Sequence, residues 1–224
     1  MSDLLRLEDK TCYVAERREI WHLIPEAAQR ILDVGCAHGY LGRAIKAARP
    51  CEIVGVELNE KSAQEAALHL DKVHCENVET FKLPYPQGYF DCIIMADLLE
   101  HLVNPWKVLT EYSAYLAEDG VLIASLPNVR HYRVVGQLIL GRWDYKESGI
   151  LDSTHLRFFT LKSILDLLDL AGLEPLTIER IYRARPIAKL LNWLCFNRLE
   201  AFLAQQYVLV AKRKDESSLQ RRDS

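Results

Sequence analysis

The 224-residue sequence contains no run of about 18 apolar residues that would span a bilayer. No basic stretch followed by an apolar one opens the chain, so a secretory leader is not expected. Cys-x-x-Cys pairs are also missing. The six cysteines (Cys12, Cys36, Cys51, Cys75, Cys92 and Cys195) are scattered, as free and mostly buried thiols of a reducing compartment would be. Neither sign of charge dominates: 28 Lys and Arg stand against 31 Asp and Glu, a net charge of −3. That balance excludes the broad phosphate-neutralising surface that duplex DNA requires. What is present is length and apolar content (50% hydrophobic) enough for one α/β core without disulfides or a structural metal. The expected setting is cytoplasmic.

Residues 1–29 read as a helical lead-in, with Leu4, Leu5, Leu7, Val14, Ile20, Trp21 and Ile24 among charges. From Arg30 to Lys214, short β-branched runs alternate with amphipathic stretches. The expected strands are Ile31–Val34, Ile53–Glu57, Lys72–Cys75, Cys92–Met95, Val121–Ser125, Pro175–Ile181 and Tyr207–Lys212. Helices are expected at Leu41–Ala48, Glu60–Leu70, Trp106–Leu116 and Leu161–Ala171. This rhythm predicts a Rossmann-like, doubly wound, seven-stranded, mainly parallel sheet with helices on both faces. Residues 127–160 are too long for an ordinary connection and predict a cap insertion. Residues 185–204 form a second, apolar helical insertion, and the polar tail 215–224 predicts disorder.

Ile31-Leu32-Asp33-Val34-Gly35-Cys36-Ala37-His38-Gly39 is a strand running into a glycine turn and then a helix. Such a turn admits close approach of a ligand, and the helix start offers free N–H groups. Glu57 follows Gly35 by 22 residues, and a carboxylate there can accept both hydroxyls of a ribose. The glycines run G-x-x-x-G-x-x-G (Gly35, Gly39, Gly42), not the G-x-G-x-x-G of dinucleotide sites. Asp33 would repel a pyrophosphate but suits a ligand with ammonium and sulfonium cations. Both points disfavour a nicotinamide-dependent oxidoreductase.

These residues resemble the class I S-adenosylmethionine-dependent methyltransferases, whose first motif is close to D-x-G-x-G-x-G. Ala37 departs from it, standing where the middle glycine falls. The resemblance runs from about Tyr13 to Lys212. It extends to Asn77 and Val78 near the adenine, to Phe90–Asp97 as the fourth strand facing the methyl, and to Leu116–Leu122 as helix, turn and fifth strand. It implies S-adenosylmethionine held by Asp33, Gly35, Ala37, Gly39, Glu57, Leu58, Asn77, Val78 and Ala96. Arg17, in a Y-x-x-x-R pair with Tyr13, is a candidate for the cofactor carboxylate, with a solvated surface arginine as the alternative.

Asp97-Leu98-Leu99-Glu100-His101 would, as a helix, bring Asp97, Glu100 and His101 to one face. With His155 they offer mixed N/O ligands for a divalent cation, Mg or Mn. The spacing resembles the E-x-x-E-H and distant His of small-RNA 2′-O-methyltransferases and ubiquinone-pathway O-methyltransferases. A cation there would activate an alcohol hydroxyl that is a poor nucleophile at neutral pH. The alternatives are ion pairs or helix caps formed by Glu100 and His101 with Arg130 or Arg157. Without a cation, Glu100, His101 and His155 are the candidate acid–base groups.

Ser125–His131, Gly141–Tyr145 and Gly149–Thr160 resemble a bacterial methyltransferase group associated with surface-glycan pathways. That resemblance implies a sugar or small-molecule hydroxyl as acceptor. Asn128, His131, Trp143, Asp152 and Arg157 are the substrate candidates, although Phe158 and Phe159 suit a cap core. Four arginines (Arg130, Arg133, Arg142, Arg157) can instead meet a phosphate, while the lack of an aromatic ladder disfavours RNA. Residues 187–199 carry surplus apolar bulk for a homodimer contact, a lid, a peripheral membrane contact, or packing on the sheet. The expected activity is methyl transfer to oxygen in glycan or small-molecule biosynthesis. N-methylation or a non-catalytic cofactor-binding partner are the alternatives.

Overall fold

A computed structural model describes residues 17–182 and 199–214. Seven strands form one sheet: β1 (Arg30–Val34), β2 (Glu52–Glu57), β3 (Lys72–Cys75), β4 (Phe90–Ala96), β5 (Leu116–Pro127), β6 (Leu173–Ile181) and β7 (Gln206–Arg213). Their order is β3-β2-β1-β4-β5-β7-β6. The β1–β2, β1–β4, β2–β3 and β4–β5 pairs are parallel, and β7 runs antiparallel between β5 and β6. The doubly wound seven-stranded expectation is thus met, with β7 as the reversed strand.

Why the central strands read as continuous apolar runs is visible in the packing, because both faces of the sheet are covered. On one face Leu32, Val34, Val54, Val56, Ile93 and Met95 meet helices α4 (Pro105–Ser113) and α6 (Leu161–Leu170) through Val108, Leu109, Tyr112, Ile164 and Leu167. On the other, Ile31, Ile53, Cys92, Ile94 and Ile123 meet α1 (Arg18–Trp21), α2 (Tyr40–Ala48) and α3 (Glu60–Ala66) through Ile20, Leu41, Ile45 and Ala66. The helix starts follow capping chemistry. Asn104 accepts from Lys107 N ahead of Pro105, and Thr160 and Ser163 form a reciprocal capping box.

Several boundaries differ from expectation. The helix predicted to reach Leu116 stops at Ser113, because Leu116 already pairs with Phe90 at the start of β5. The ladder then slips, and Val121 rather than Glu118 meets Cys92, so residues between Leu116 and Val121 bulge from the strand. The helix expected to Leu70 ends at Ala66. The 127–160 stretch contains one helix, α5 (Tyr132–Ile139), then turns held by an isolated Lys146–Asp152 bridge. Residues 1–16, with Tyr13, lie outside the described residues, as do the tail 215–224 and all of the 187–199 segment but Leu199. Of the second insertion, Glu200–Leu203 is helical. Among the described residues no helix is long and apolar enough to cross a membrane. Cys36 and Cys92 are buried as expected, Cys51 is half-buried, and Cys75 is exposed.

Parallel strands share one carboxyl edge, and the loops after β1, β2, β4 and β5 all open there. In sheets of this winding, that edge receives ligands.

Candidate active site

The turn after β1 is built from left-handed residues: Gly35 (φ 75°), Ala37 (φ 46°) and Gly39 (φ 73°). Gly35 and Cys36 both donate their N–H to Val56 O, at 2.7 and 3.2 Å, which binds the turn to β2. A side chain at Gly39 would meet the backbone of Ala66 at 3.0 Å, so this glycine also lets α3 close on the start of α2. Ala37 keeps its methyl group in a conformation that glycine adopts at less cost. Its N–H donates to Glu57 Oε2 at 2.9 Å, while Glu57 Oε1 accepts from Asn59 N at 2.8 Å. Glu57 therefore ties the second strand to the glycine turn, and each oxygen keeps a lone pair for an incoming hydroxyl.

Asp33, 5% exposed beside this turn, accepts no hydrogen bond among the described residues. Burial pushes its carboxyl up to about 7, the Arg17 guanidinium opposes this, and Glu57 adds to it. A buried carboxylate without a donor beside a glycine turn fits a cationic ligand, and S-adenosylmethionine carries an ammonium and a sulfonium. Leu58 is exposed at the end of β2, Val78 is buried, and Asn77 is exposed with its Oδ1 accepting from Glu79 N. Ala96, half-buried, ends β4 at the same edge.

The next stretch departs from the expected helix. Asp97 is left-handed (φ 51°), and only Leu99–His101 turns, as a single 3₁₀ turn. Asp97 N donates to Ser125 Oγ and O, at 3.0 and 3.2 Å. Its carboxylate accepts from Ser125 Oγ at 2.7 Å, from Arg17 Nη2 at 2.9 Å, and from Gln206 Nε2. The four-residue ligand set of the sequence is thereby corrected: Asp97 is engaged by β5, β7 and the lead-in. Arg17 is likewise paired with Asp97 and Glu19 and is only 14% exposed, unlike the solvated surface arginine of the alternative reading.

Glu100, His101 and His155 do converge, offering ligand atoms within 4.8 Å of one another. Glu100 is 1% exposed, and among the described residues neither carboxylate oxygen has a hydrogen-bond partner. Burial and the Asp97 charge push its carboxyl well above the usual range. The alternative pairing of Glu100 with Arg130 or Arg157 is not formed among the described residues. His101 Nδ1 lies 3.2 Å from Thr154 O and His155 Nδ1 3.0 Å from Ile150 O, with the rings edge to face at 4.8 Å. A carbonyl only accepts, so each Nδ1 is the donor, and in neutral His101 it is Nε2 that carries no proton. Burial and the neighbouring His155 lower the proton affinity of His101. The two segments are stitched together by Glu100 O, which accepts from Leu156 N (2.8 Å) and Arg157 N (3.0 Å).

Each of the substrate candidates has a partner within the chain. Asn128, fully buried, donates to Ala201 O and Ala204 O, each at 2.8 Å, and accepts from Arg130 N. His131 is buried and caps α5. Asp152 is buried and accepts from Thr154 N and Oγ1. Arg157 donates to Val103 O and lies over the Trp106 ring. Trp143 packs edge-on against Phe158. Ser125 and Gln206 were not singled out from the sequence, because only pairing across β5 and β7 brings them to Asp97.

This sheet order, with a glycine turn after β1 and an acid closing β2, defines the class I S-adenosylmethionine-dependent methyltransferases. A family model described as "Methyltransferase domain" matches residues 8–178, and the chain belongs to that family. It is 28% identical over 205 residues to a ubiquinone biosynthesis O-methyltransferase of Idiomarina loihiensis, covering 84% of this chain and 76% of that one. It is 27% identical over 123 residues to the 27-O-demethylrifamycin SV methyltransferase of Amycolatopsis mediterranei, over 52% of this chain and 44% of that one. A crystal structure of an S-adenosylmethionine-dependent methyltransferase from Archaeoglobus fulgidus superposes with a TM-score of 0.69 at 18% identity, covering 90% and 93% of the two chains. The [4+2]-cyclase SpnF superposes at 0.61 with 21% identity, over 87% and 78%. The same fold thus carries more than one chemistry, and the site has to decide.

Proposed function

We propose that this chain transfers the methyl group of S-adenosylmethionine to a hydroxyl oxygen of a small molecule, presented at Glu100, His101 and His155. The observation carrying this reading is the orphaned Glu100 carboxylate buried between two imidazoles whose Nδ1 atoms are already committed. Such a set is suited to binding or deprotonating an acceptor. The relatives named for O-methylation support oxygen as the target.

In this reading Asp33 and Glu57 hold the donor, and Ala96 lies at its methyl. The acceptor oxygen attacks the methyl carbon in line as the C–S bond breaks, leaving S-adenosylhomocysteine. The hydroxyl proton passes to Nε2 of His101, an imidazole that burial keeps neutral. A divalent cation at these three residues, when bound, would lower the pKa of the coordinated hydroxyl. The expected sugar-binding set is absent from the proposal, since Asn128, His131, Asp152 and Arg157 have internal partners.

Labelled methyl transfer to a panel of catechols, phenols and sugars, with a parallel panel of amines, tests this. We expect product from hydroxyl acceptors, with Glu100→Gln and His101→Gln each slowing transfer at least 100-fold. Transfer confined to amines, or variants of undiminished rate, would overturn it.

A further inference from the structure

We infer that Arg17 is a selectivity residue: its guanidinium offsets the Asp97 carboxylate beside the reacting sulfur and so sets how strongly the chain prefers S-adenosylmethionine to S-adenosylhomocysteine. The inference rests on the reading that places the donor at Asp33 and Glu57 with its methyl at Ala96. It differs from a salt link to the cofactor carboxylate, a group that both ligands share.

The acids of the active edge come from separate elements. Asp33 sits near the end of β1, Glu57 closes β2, and Asp97 follows Ala96 directly at the end of β4. Arg17 meets them from the lead-in. Its Nη2 donates to Asp97 Oδ2 at 2.9 Å and to Ser125 Oγ at 3.2 Å. Ser125 Oγ donates in turn to Asp97 Oδ1 at 2.7 Å, which closes a ring of three residues. Glu19 Oε1 also lies 3.0 Å from Arg17 Nε. The charge of the guanidinium reaches further, since it lowers the proton affinity of both Asp33 and Glu100. Its anchorage is firm. The Arg17 backbone is left-handed (φ 45°), and its carbonyl accepts from Ile20 N at 2.8 Å and Trp21 N at 3.0 Å. Ile20 is fully buried against the sheet. Such a backbone conformation persists only where the surrounding structure imposes it.

Donor and product differ by one methyl group and one charge. The donor carries a sulfonium and the product a neutral thioether, while carboxylate, ammonium, ribose and adenine are common to both. Their affinity ratio therefore reads the electrostatic potential at the sulfur. An unopposed Asp97 carboxylate would hold the sulfonium and favour the donor's ground state over a transition state in which that charge is being lost. Arg17 opposes that field. One unit charge placed several ångströms from the sulfur in a partly buried site shifts the ratio by about fivefold to tenfold.

Calorimetry of the full chain with each of the two ligands tests the inference. Arg17→Gln should raise the donor-to-product affinity ratio about fivefold over wild type. Asp97→Asn leaves the guanidinium unopposed and should lower the ratio by about the same factor. Arg17→Lys and the double variant Arg17→Gln with Asp97→Asn both keep the charge balance, and should stay within about twofold of wild type. The opposite signs of the two single variants keep the test decisive if one of them fails to fold. An unchanged ratio in a folded single variant overturns the inference. Equal weakening of both ligands by Arg17→Gln also overturns it, by assigning the guanidinium to their shared carboxylate, and leaves the methyl-transfer reading standing. A wild-type chain that binds neither ligand overturns that reading itself, and this inference with it.

Discussion

Asp33 and Ala37 sit four residues apart on one turn, and each has a cost that a ligand or a substitution can reveal. Burial pushes the Asp33 carboxyl, which has no donor among the described residues, up to about 7. Below that pH it is protonated and offers a cation nothing. Affinity for S-adenosylmethionine should therefore rise about tenfold from pH 6 to pH 8, following the ionised fraction. Calorimetry at the two values checks this, and Asp33→Asn should bind weakly with no such slope. Ala37 bears a left-handed strain of about 1–2 kcal/mol, part of which glycine returns as chain entropy. Ala37→Gly should stabilise the protein by about 0.5–1 kcal/mol in urea unfolding. A destabilised variant would mean that the methyl group packs usefully. At this scale the sequence was half legible. Asp33, Glu57, Glu100, His101 and His155 could be named from residue type and spacing. Asp97 could not be placed, because its left-handed backbone depends on Ser125 and Gln206 reaching it from other strands.

Elements were read best where burial leaves few choices. The β-branched runs Ile31–Val34, Ile53–Glu57 and Cys92–Met95 are covered on both faces, so their period carries no ambiguity. Connections fared worse. The loop from Pro127 to Thr160 is recognisable by length, and the polar residues that suggest a substrate set, Asn128 and Asp152 among them, also fasten it internally. Asn128 shows why: its side chain donates to two carbonyls ahead of β7, those of half-buried Ala201 and buried Ala204. Asn128→Ala should cost about 2–3 kcal/mol in chemical denaturation while leaving donor affinity within twofold. A variant of normal stability with lost acceptor turnover would restore it to the substrate list. The 3₁₀ turn at Leu99–His101 is equally informative. Three residues were enough to bring Glu100 and His101 to His155, where a full helix would have carried Asp97 with them.

For the molecule as a whole, the active edge is set against stability. Asp33 and Glu100 hold protons more tightly folded than unfolded. Their contribution is complete below the unfolded carboxylate range and is lost as pH rises through their folded values. Asp33 alone sets a ceiling of about 4 kcal/mol, at about 1.4 kcal/mol per tenfold change in proton affinity. Against burial, hydrogen bonds from Lys46 and Ile53 N lower Asp71, and those from Arg30 and Gln29 lower Asp91. Their opposite effect falls below about pH 4, where the carboxylates of an unfolded chain titrate. The ligand-free protein should thus unfold at lower urea at pH 8 than at pH 5.5, with the difference reduced in Asp33→Asn. Saturating S-adenosylmethionine should narrow that gap, since it binds the ionised folded form. Finally, β7 lies between β5 and β6 although it follows both in the chain. During synthesis, then, β1 to β5 emerge with the donor turn complete while the far edge of β5 still lacks its neighbour. Until Gln206–Arg213 arrives, that edge is an open template for another nascent chain. The same late strand brings Gln206 to Asp97. Completion of the active edge and protection from misassembly therefore coincide in one folding step.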